Sequence, residues 1–280
     1  MENQVEIQKD PGRLAIIEKI KLFEREERWA QDVEDDPPTK PLDYTKVDYT
    51  GKKLSTRIKS EIANRVAKNY FDGQIKKNRL IIKEVRGLDN YLSVVGGAVI
   101  TCNHFNPYDN YAVFKAIEKP LGRKRLYKVI REGNYTSFPG LYGYFFRHCN
   151  TLPLCSSAKG LAALFSAADE LLKRGDKILI YPEQGMWWNY RKPRPMKDGA
   201  FRIAARSSAP VIPFFITMED SEFTDESNGF PVQAYTVNIL SAIYPDKEKP
   251  ARLAAREMAD KNYCAWKEVY EDFYGVPLTY

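Results

Sequence analysis

Stretches of apolar and polar residues alternate along the chain in a way that predicts a sheet with helices on both sides. Apolar runs of strand length occur at RLIIKEV, GGAVITC, RLYKVI, KILIYP and APVIPFFIT. Between them, YAVFKAIEK, AKGLAALFSAADELLKRG and DGAFRIAARSS have the apolar spacing of amphipathic helices. Because strands that alternate with helices favour parallel pairing, the pattern predicts an α/β fold with a mixed, largely parallel sheet flanked by helices on both faces.

An amphipathic pattern precedes this alternating region. Within residues 11–31, apolar residues at helical spacing stand among many charges: Leu14, Ile17, Ile20 and Phe23. The acidic, proline-rich stretch DVEDDPPTKP then interrupts the pattern, as a linker does. We therefore expect residues 1–50 to form an N-terminal helix and linker, and residues 51–280 to form the main domain.

A second amphipathic helix is predicted at the start of the main domain. Its apolar positions recur every four residues, at Leu54, Ile58, Ile62 and Val66. Basic residues occupy its other faces, at Arg57, Lys59, Arg65 and Lys68. Basic amphipathic helices often bind anionic membranes, but the charged face of a helix that packs on its own domain has the same pattern. Both interpretations stay open at this stage.

Composition narrows the cellular setting. The 280 residues carry a formal charge of +6, a modest excess that suits anionic partners without selecting one. No apolar run reaches the 18 to 20 residues of a membrane span, and the first residues lack the pattern of a secretory signal. The four cysteines form no CxxC pair or zinc-like spacing, which suits a reducing compartment. We expect a cytoplasmic protein, bound peripherally to the inner face of the membrane.

Candidate chemistry is concentrated after two of the predicted strands. TCNHFNPYDN follows the run GGAVITC and contains His104, one of two histidines, with Asp109 five residues later. Glu183 follows the strand KILIY and Pro182. The carboxyl ends of parallel strands meet at one edge of a sheet, where such folds bind ligands. The simpler alternative is that these are polar turn residues that bond their own backbone.

These stretches resemble the glycerolipid acyltransferases, the family typified by 1-acylglycerol-3-phosphate acyltransferase. NHFNPYD is similar to the NHx4D signature of that family, and YPEQG is similar to its PEGT block. Further blocks occur in the same order: VRGLDNYLSVVGGAVITCNH, FPGLYGYFFRHCNTLPL and KDGAFRIAARSSAPVIPFFI. The resemblance extends over about residues 79–270. It implies transfer of a fatty acyl group from acyl-CoA or acyl-carrier protein to the hydroxyl of a lysolipid.

The resemblance also implies roles for individual residues. His104 would be the general base that activates the acceptor hydroxyl, and Asp109 would hold its imidazole in one tautomer. Glu183 would bind the acceptor. The backbone N–H groups around Gln184 and Gly185 are candidate donors to the oxyanion of the tetrahedral intermediate. The thioester is a co-substrate, so we expect no further cofactor and no metal.

The chain departs from the family pattern at two expected anion contacts. Met186 stands where the family has an arginine after its PEGT block, and Ser156 or Ser157 replaces another. A basic loop follows the block and offers substitutes that would bind the acceptor: Arg191, Lys192 and Arg194. The same loop has the composition of a solvated basic surface. The acceptor is therefore open between lysophosphatidic acid and a related lysophospholipid or lysoglycolipid.

Other interpretations compete with the acyltransferase hypothesis. His104, Asp109 and Glu183 are also the residue types of a metal-dependent hydrolase. A non-catalytic lipid-binding protein would need only the basic helices and loops. Trp187 and Trp188 suit an acyl channel, a membrane interface or the protein core. As partners we expect the thioester donor, the lysolipid acceptor and an anionic membrane surface, and we expect no nucleic acid. We expect the second histidine, His148, to have a structural role.

Overall fold

A seven-stranded sheet runs through the protein, and helices cover both of its faces. The structure is a computed structural model that describes residues 8–35 and 38–280. The strands are β1 (Ile81–Arg86), β2 (Ala98–Thr101), β3 (Leu126–Ile130), β4 (Thr151–Pro153), β5 (Lys177–Ile180), β6 (Val211–Asp225) and β7 (Phe230–Ile239). The helices are α1 (Pro11–Arg25), α2 (Leu54–Lys76), α3 (Leu88–Leu92), α4 (Asp109–Leu121), α5 (Glu132–Thr136), α6 (Gly140–His148), α7 (Ala158–Lys173), α8 (Gly199–Arg206) and α9 (Ala251–Tyr274).

The order of strands in the sheet is β1-β7-β6-β2-β5-β3-β4. Every neighbouring pair is parallel except β6 and β7, which form a long antiparallel hairpin. The predicted fold class, a mixed and largely parallel sheet between helices, is confirmed. The sequence pattern did not indicate β7 or α9, which follow the last apolar run that we interpreted.

Two apolar cores lie on opposite faces of the sheet. In β2, Ile100 belongs to the core under α2 and α4, while Val99 belongs to the core under α7, α8 and α9. Successive side chains of a strand point to opposite faces, so one strand serves both cores. All four residues of β2 and all four of β5 are buried, as is typical of central strands in a sheet covered on both sides.

Helix α2 packs on the domain through the face opposite its aliphatic stripe. Ala63 and Phe71 are buried in the core, whereas Ile58 and Ile62 are 52% and 53% exposed. The other two residues of the stripe, Leu54 and Val66, are also exposed. The helix therefore buries small and aromatic residues and presents its larger aliphatic residues to solvent, which is unusual for a packed helix.

The N-terminal segment lies against the main domain. Asp10 caps α1 by accepting a hydrogen bond from the N–H of Arg13 at 2.7 Å. Ile20, Phe23 and Val33 then form a small apolar cluster with Trp187 of the main domain. The expected N-terminal helix is present, and the domain boundary near residue 50 remains a prediction. Residues 36 and 37 of the expected linker, and the first seven residues used to judge a secretory signal, lie outside the described residues.

No helix in the described part of the chain is both long enough and apolar enough to cross a membrane.

Candidate active site

The register of two neighbouring strands brings His104 and Glu183 together. β2 and β5 are parallel, and Thr101 at the end of β2 lies opposite Ile180 at the end of β5. His104 and Glu183 each follow three residues later, so both lie beyond the carboxyl edge of the sheet. The backbone N–H of His104 donates a hydrogen bond to Glu183 Oε2 at 3.0 Å. The expectation that the two motifs meet at one edge therefore agrees with the geometry.

His104 and Asp109 form a hydrogen-bonded pair. His104 Nδ1 lies 2.7 Å from Asp109 Oδ2, and Asp109 is fully buried while the His104 side chain is 23% exposed. The N–H groups of Phe105 and Asn106 also donate to the same carboxylate oxygen, at 3.0 and 3.2 Å. Because a carboxylate can only accept, the proton of the imidazole lies on Nδ1 and the lone pair lies on Nε2. Nε2 has no hydrogen-bond partner among the described residues.

The turn between β2 and α4 explains this geometry. Asn106 Oδ1 accepts a hydrogen bond from the N–H of Tyr108 at 3.0 Å, which closes the turn before α4 begins at Asp109. The Asp109 carboxylate thus sits in the first turn of a helix, where the exposed N–H groups and the helix dipole favour a negative charge. The spacing of His104 and Asp109 therefore reflects the length of one tight turn into a helix.

Tyr181 contacts both members of the pair, and the sequence analysis missed it. Its hydroxyl donates to Asp109 Oδ1 at 2.6 Å, and its ring stacks on the His104 ring with centroids 4.0 Å apart. Burial, with the charge of Asp109 nearby, raises the pKa of Tyr181 well above its usual value, so the hydroxyl stays protonated. The available signal was a tyrosine at the end of an otherwise apolar strand, directly before Pro182.

Both carboxylate oxygens of Glu183 accept hydrogen bonds from backbone N–H groups. Its Oε2 accepts from the N–H of His104, and its Oε1 accepts from the N–H of Arg194 at 2.9 Å. The residue is buried, and burial raises the pKa of its carboxyl group, although the charge of Arg194 opposes this. In this arrangement Glu183 joins the loop after β2 to the basic loop. Glu183 thereby holds the backbone of the His104 loop, and its contact with the acceptor stays a prediction.

Arg194, one of the residues that we expected to bind the acceptor, does not lie on an open surface. Only 2% of the residue is exposed, and its Nη2 lies 3.5 Å from Glu183 Oε2. The guanidinium also donates to the carbonyl oxygens of Trp29, at 3.1 Å, and of Gly185, and lies over the ring of Trp187. A buried cation needs such partners because desolvation is costly. Arg194 is therefore a structural partner of Glu183 in this conformation.

Gln184 and Gly185 form a tight turn whose N–H groups are already used. Gln184 has a φ of 65°, its N–H donates to the carbonyl oxygen of Tyr181 at 3.1 Å, and the N–H of Gly185 donates to that of Glu183 at 2.9 Å. A Cβ at position 185 would lie 2.6 Å from Asp32 Oδ1, so a larger residue there would require the Asp32 side chain to move. Neither N–H points freely at a substrate, so a role in the oxyanion site would require the turn to open.

Asp32 reaches the site from the N-terminal segment. It forms a two-pronged pair with Arg131, whose Nη1 and Nη2 both lie 2.7 Å from its carboxylate oxygens. Arg131 Nε also donates to the carbonyl oxygen of Gln184 at 3.2 Å. Arg131 directly follows β3 at the same edge of the sheet, which was the signal that the sequence analysis did not use.

The other two basic-loop residues have carboxylate partners on different elements. Arg191 Nη2 lies 2.8 Å from Asp220 Oδ1, and the arginine side chain is 44% exposed. Lys192 Nζ lies 3.1 Å from Glu24 of α1, and this lysine is mostly buried. Of the three predicted replacements for the phosphate contacts, only Arg191 is substantially exposed.

A cleft of about 420 Å³ runs along this region, between α1 and the strands β6 and β7. Ile17, Ile20, Trp188 and Phe230 supply apolar walls, and Arg191 lies among its polar lining residues. The neighbouring Asn189 donates its N–H to the carbonyl oxygen of Phe105 at 2.8 Å, which places one end of the cleft beside the His104 loop.

The two tryptophans after the PEQG turn are core residues. Trp187 is fully buried, stacks on Trp29 and donates from its indole N–H to the carbonyl oxygen of Gln31 at 2.9 Å. Trp188 is 7% exposed and packs edge-on against Phe230. Of the three alternatives, packing in the protein applies to Trp187, while Trp188 also forms part of the cleft wall.

Within residues 8–35 and 38–280, no group of three or more His, Cys, Asp or Glu side chains is arranged to hold a metal ion. His148 lies at the end of α6, before β4, and its ring packs edge-on against Tyr144. Sequence reasoning did not place it near His104, and the structure puts it on a different part of the sheet.

Comparison with known proteins connects this geometry to a family. Residues 83–217 match the family model described as Acyltransferase. Among solved structures, the 1-acyl-sn-glycerophosphate (LPA) acyltransferase PlsC from Thermotoga maritima matches with a TM-score of 0.44 and 13% identity, over 90% of this chain and 93% of that chain. No curated protein sequence matches the chain. The matched region contains His104, Asp109 and Glu183.

Proposed function

We propose that the protein transfers a fatty acyl group from acyl-CoA or acyl-carrier protein to the hydroxyl of a lysolipid. The observation that carries the proposal is the His104–Asp109 pair, in which the imidazole is held through Nδ1 and its Nε2 remains without a partner among the described residues. An alcohol is a poor nucleophile while it is protonated, so a base at this position supplies what the reaction needs. The thioester is a co-substrate, and the proposed reaction requires no other cofactor.

The proposed reaction proceeds by direct transfer. His104 Nε2 takes the proton of the acceptor hydroxyl as the oxygen attacks the thioester carbonyl carbon. The tetrahedral intermediate then collapses, the C–S bond breaks, and the imidazolium returns the proton to the departing thiolate. Asp109 stabilises the imidazolium while it exists, as the acid member of a hydrolytic triad does.

The environment of Cys102 supports transfer without a covalent acyl-enzyme. This thiol lies two residues before His104, and it is fully buried. Burial, together with the charges of Asp109 and Glu183, raises its pKa well above the usual value. A neutral, inaccessible thiol is a poor nucleophile, so the acceptor hydroxyl is the better candidate for attack on the thioester.

For the acceptor, we propose a lysolipid whose head group is not a phosphomonoester. The two family arginines are replaced, Arg194 is buried against Glu183, and Lys192 is mostly buried beside Glu24. The third of these loop residues, Arg191, is exposed but is already paired with Asp220. Phosphomonoester binding normally uses several converging cations, and these residues offer few.

We propose further that the protein works at the inner face of an anionic membrane and meets it through α2. The helix presents Leu54, Ile58, Ile62 and Val66 to solvent, with Arg57 and other basic residues beside them. Apolar side chains flanked by basic ones suit the boundary between head groups and acyl chains. This placement would give the enzyme access to lysolipids that remain in the bilayer.

The test is a transfer assay with the purified full chain. It would be incubated with labelled acyl-CoA or acyl-carrier protein and with a panel of lysophosphatidic acid, lysophosphatidylglycerol, lysophosphatidylcholine and a monoacylated glycolipid, and products would be identified by mass. We expect acylated product, with the best acceptor outside lysophosphatidic acid. Release of free fatty acid with every acceptor would indicate a hydrolase, and absence of any turnover would leave a lipid-binding protein.

A further inference from the structure

A second concave site lies beside β3 and β4, away from His104. It is a cavity of about 150 Å³, and its wall includes Arg57, Lys59, Arg125, Arg147 and His148. We call it the basic cavity. It is formed where the first turns of α2 meet the end of α6 and the edge of the sheet.

The basic cavity and the candidate active site lie at opposite ends of the parallel strands. Arg125 directly precedes β3 and Asn150 directly precedes β4, so both mark amino ends of strands. His104 follows the carboxyl end of β2, which runs in the same direction. The lining of the basic cavity includes neither His104 nor Glu183. The basic cavity is therefore a separate site.

Of the five Lys and Arg residues that line this cavity, Lys46 pairs with Asp43 at 3.1 Å, and the other four have no acidic partner in the described part of the chain. Arg57, Lys59 and Arg125 form no ion pair there, and Arg147 donates only to a backbone oxygen, that of Phe138, at 3.2 Å. Elsewhere in the protein, half-buried arginines such as Arg131 and Arg174 do pair with carboxylates. Gathering unpaired cations costs stability through their mutual repulsion, unless an anion joins them.

The single carboxylate on the cavity wall, Asp48, forms no ion pair with these cations. Asp48 accepts hydrogen bonds from the backbone N–H groups of Lys52 and Lys53, at 3.0 and 2.8 Å. Burial raises the pKa of Asp48, but these bonds outweigh it and hold the pKa below its usual value. The Asp48 carboxylate thus stabilises the turn that precedes α2.

The amino end of α2 adds hydrogen-bond donors, which favour an anion as the basic side chains do. Ser55 and Thr56 belong to the first turn of this 23-residue helix and line the cavity, and Lys53 at the N-cap makes no side-chain capping bond. Exposed N–H groups and the helix dipole make such an end favourable for an anion. Tyr135 and Thr151 line other parts of the wall.

The basic residues of the cavity affect the pKa of His148. Its pKa is lowered by burial first, and then by the charges of Lys59 and Arg147. The half-buried imidazole forms no hydrogen bond with any described residue. An anion held by the same two cations would remove part of this repulsion and would itself favour the protonated ring.

We propose that the basic cavity binds a phosphate group, as a second ligand site distinct from the acyl-transfer centre. Guanidinium groups bind phosphate oxygens through paired N–H donors, and Lys59 and the amino end of α2 add further donors. The volume is about five times the roughly 30 Å³ that one water occupies in the liquid, so the cavity has room for a phosphate group.

Two sources of this phosphate group are open, a membrane lipid head group or a free phosphorylated small molecule. Ile58 stands between Arg57 and Lys59 on α2 and is 52% exposed. A bilayer that meets the aliphatic stripe would therefore bring head-group phosphates to the mouth of the basic cavity. A soluble phosphomonoester would reach the same cations from solution.

Proton NMR of the two histidine rings tests the proposal directly, because the chain contains only His104 and His148. Glycerol 3-phosphate would be titrated into the full chain, and His104→Ala would assign the remaining ring signal to His148. We expect a saturable shift of the His148 signal and a rise in its titration midpoint, also in His104→Ala. That variant separates this site from the proposed acyl transfer.

Matched substitutions identify the cations responsible. Arg125→Gln and the exposed Lys59→Gln should each weaken binding about tenfold or more, as expected for loss of a charge-assisted contact. Arg65→Gln, which removes an α2 charge outside the cavity lining, should leave binding within about twofold. The proposal is overturned if phosphate causes no saturable shift of His148, or if all three variants weaken it equally.

Vesicles distinguish the two sources. Phosphatidylcholine vesicles that contain phosphatidic acid should displace glycerol 3-phosphate from the His148 site if the natural ligand is a lipid head group, and pure phosphatidylcholine vesicles should not. If neither preparation displaces it although the soluble probe binds saturably, the ligand is a free phosphorylated molecule.

Discussion

The ring of Tyr181 stacks on the ring of His104 at a centroid distance of 4.0 Å, with an angle of 18° between their planes. The hydroxyl of the same tyrosine donates to Asp109 Oδ1 at 2.6 Å, while His104 Nδ1 contacts Oδ2. One side chain therefore fixes the plane of the candidate base and the orientation of its carboxylate partner. Tyr181 is a positioning residue in the proposed reaction, since it acts through His104 and Asp109.

Tyr181→Phe should lower kcat about tenfold and leave KM for both substrates nearly unchanged. The substitution keeps the stacked ring and removes one hydrogen bond to Asp109, and about 1.4 kcal/mol in the barrier corresponds to that factor. Unchanged kcat would show that the hydroxyl serves only packing.

His104→Ala should abolish acyl transfer while the protein stays folded. Removal of a general base typically costs about 100- to 10,000-fold in rate. The assay is single-turnover transfer to the best lysolipid of the panel, and thermal unfolding provides the control for fold. Wild-type activity in a folded His104→Ala protein would rule out the proposed mechanism.

Asp109→Asn should reduce transfer severely and also destabilise the protein. Asparagine can present its amide N–H₂ to the imidazole and so favour the wrong tautomer. It also replaces a buried acceptor that takes hydrogen bonds from Phe105, Asn106 and Tyr181. The measurements are kcat and the unfolding midpoint in urea; loss of activity without any change of midpoint would show that these bonds contribute little to stability.

Arg194→Gln should lower the free energy of unfolding by about 3–5 kcal/mol, because it leaves the buried Glu183 carboxylate without its charged partner. Arg191→Gln is the matched control: its pair with Asp220 is exposed, and such pairs contribute about 0–1 kcal/mol. Urea unfolding of both variants makes the comparison. Equal, small effects would mean that Arg194 is not a structural residue.

Ile58→Ser combined with Ile62→Ser should reduce binding to anionic vesicles and leave the unfolding midpoint nearly unchanged. Both side chains are about half exposed, so the folded state loses little burial when they are removed, whereas a membrane-bound state would lose it. Leu253→Ser on α9 is the control, since Leu253 is similarly exposed on another helix. Raising salt should weaken the binding that remains. Cosedimentation equal to that of the parent protein would show that the stripe does not bind membranes.

The sequence determined the features that depend on short stretches of chain. Apolar runs placed β2 and β5, since a strand buried on both sides is mostly apolar. The polar turn after β2 placed His104 and Asp109 within one tight turn of each other. The order of the motifs, together with the rule that parallel strands end at one edge, was enough to bring Glu183 to the same place.

Only the tertiary structure decided which of several similar residues became exposed, and which contacts the others made. Arg191, Lys192 and Arg194 are equivalent in sequence, but their partners, Asp220, Glu24 and Glu183, come from distant parts of the chain.

The same limit explains α2 and Tyr181. The periodicity of α2 revealed two faces, but which face packs depends on the shape of the core beneath it, and Phe71 and Ala63 fit where the aliphatic stripe does not. Tyr181 looked like one more residue of a buried strand, because its significance lies in contacts with side chains more than 70 positions away. Local sequence patterns encode propensity and periodicity, whereas pairing between distant residues is fixed only when the elements pack.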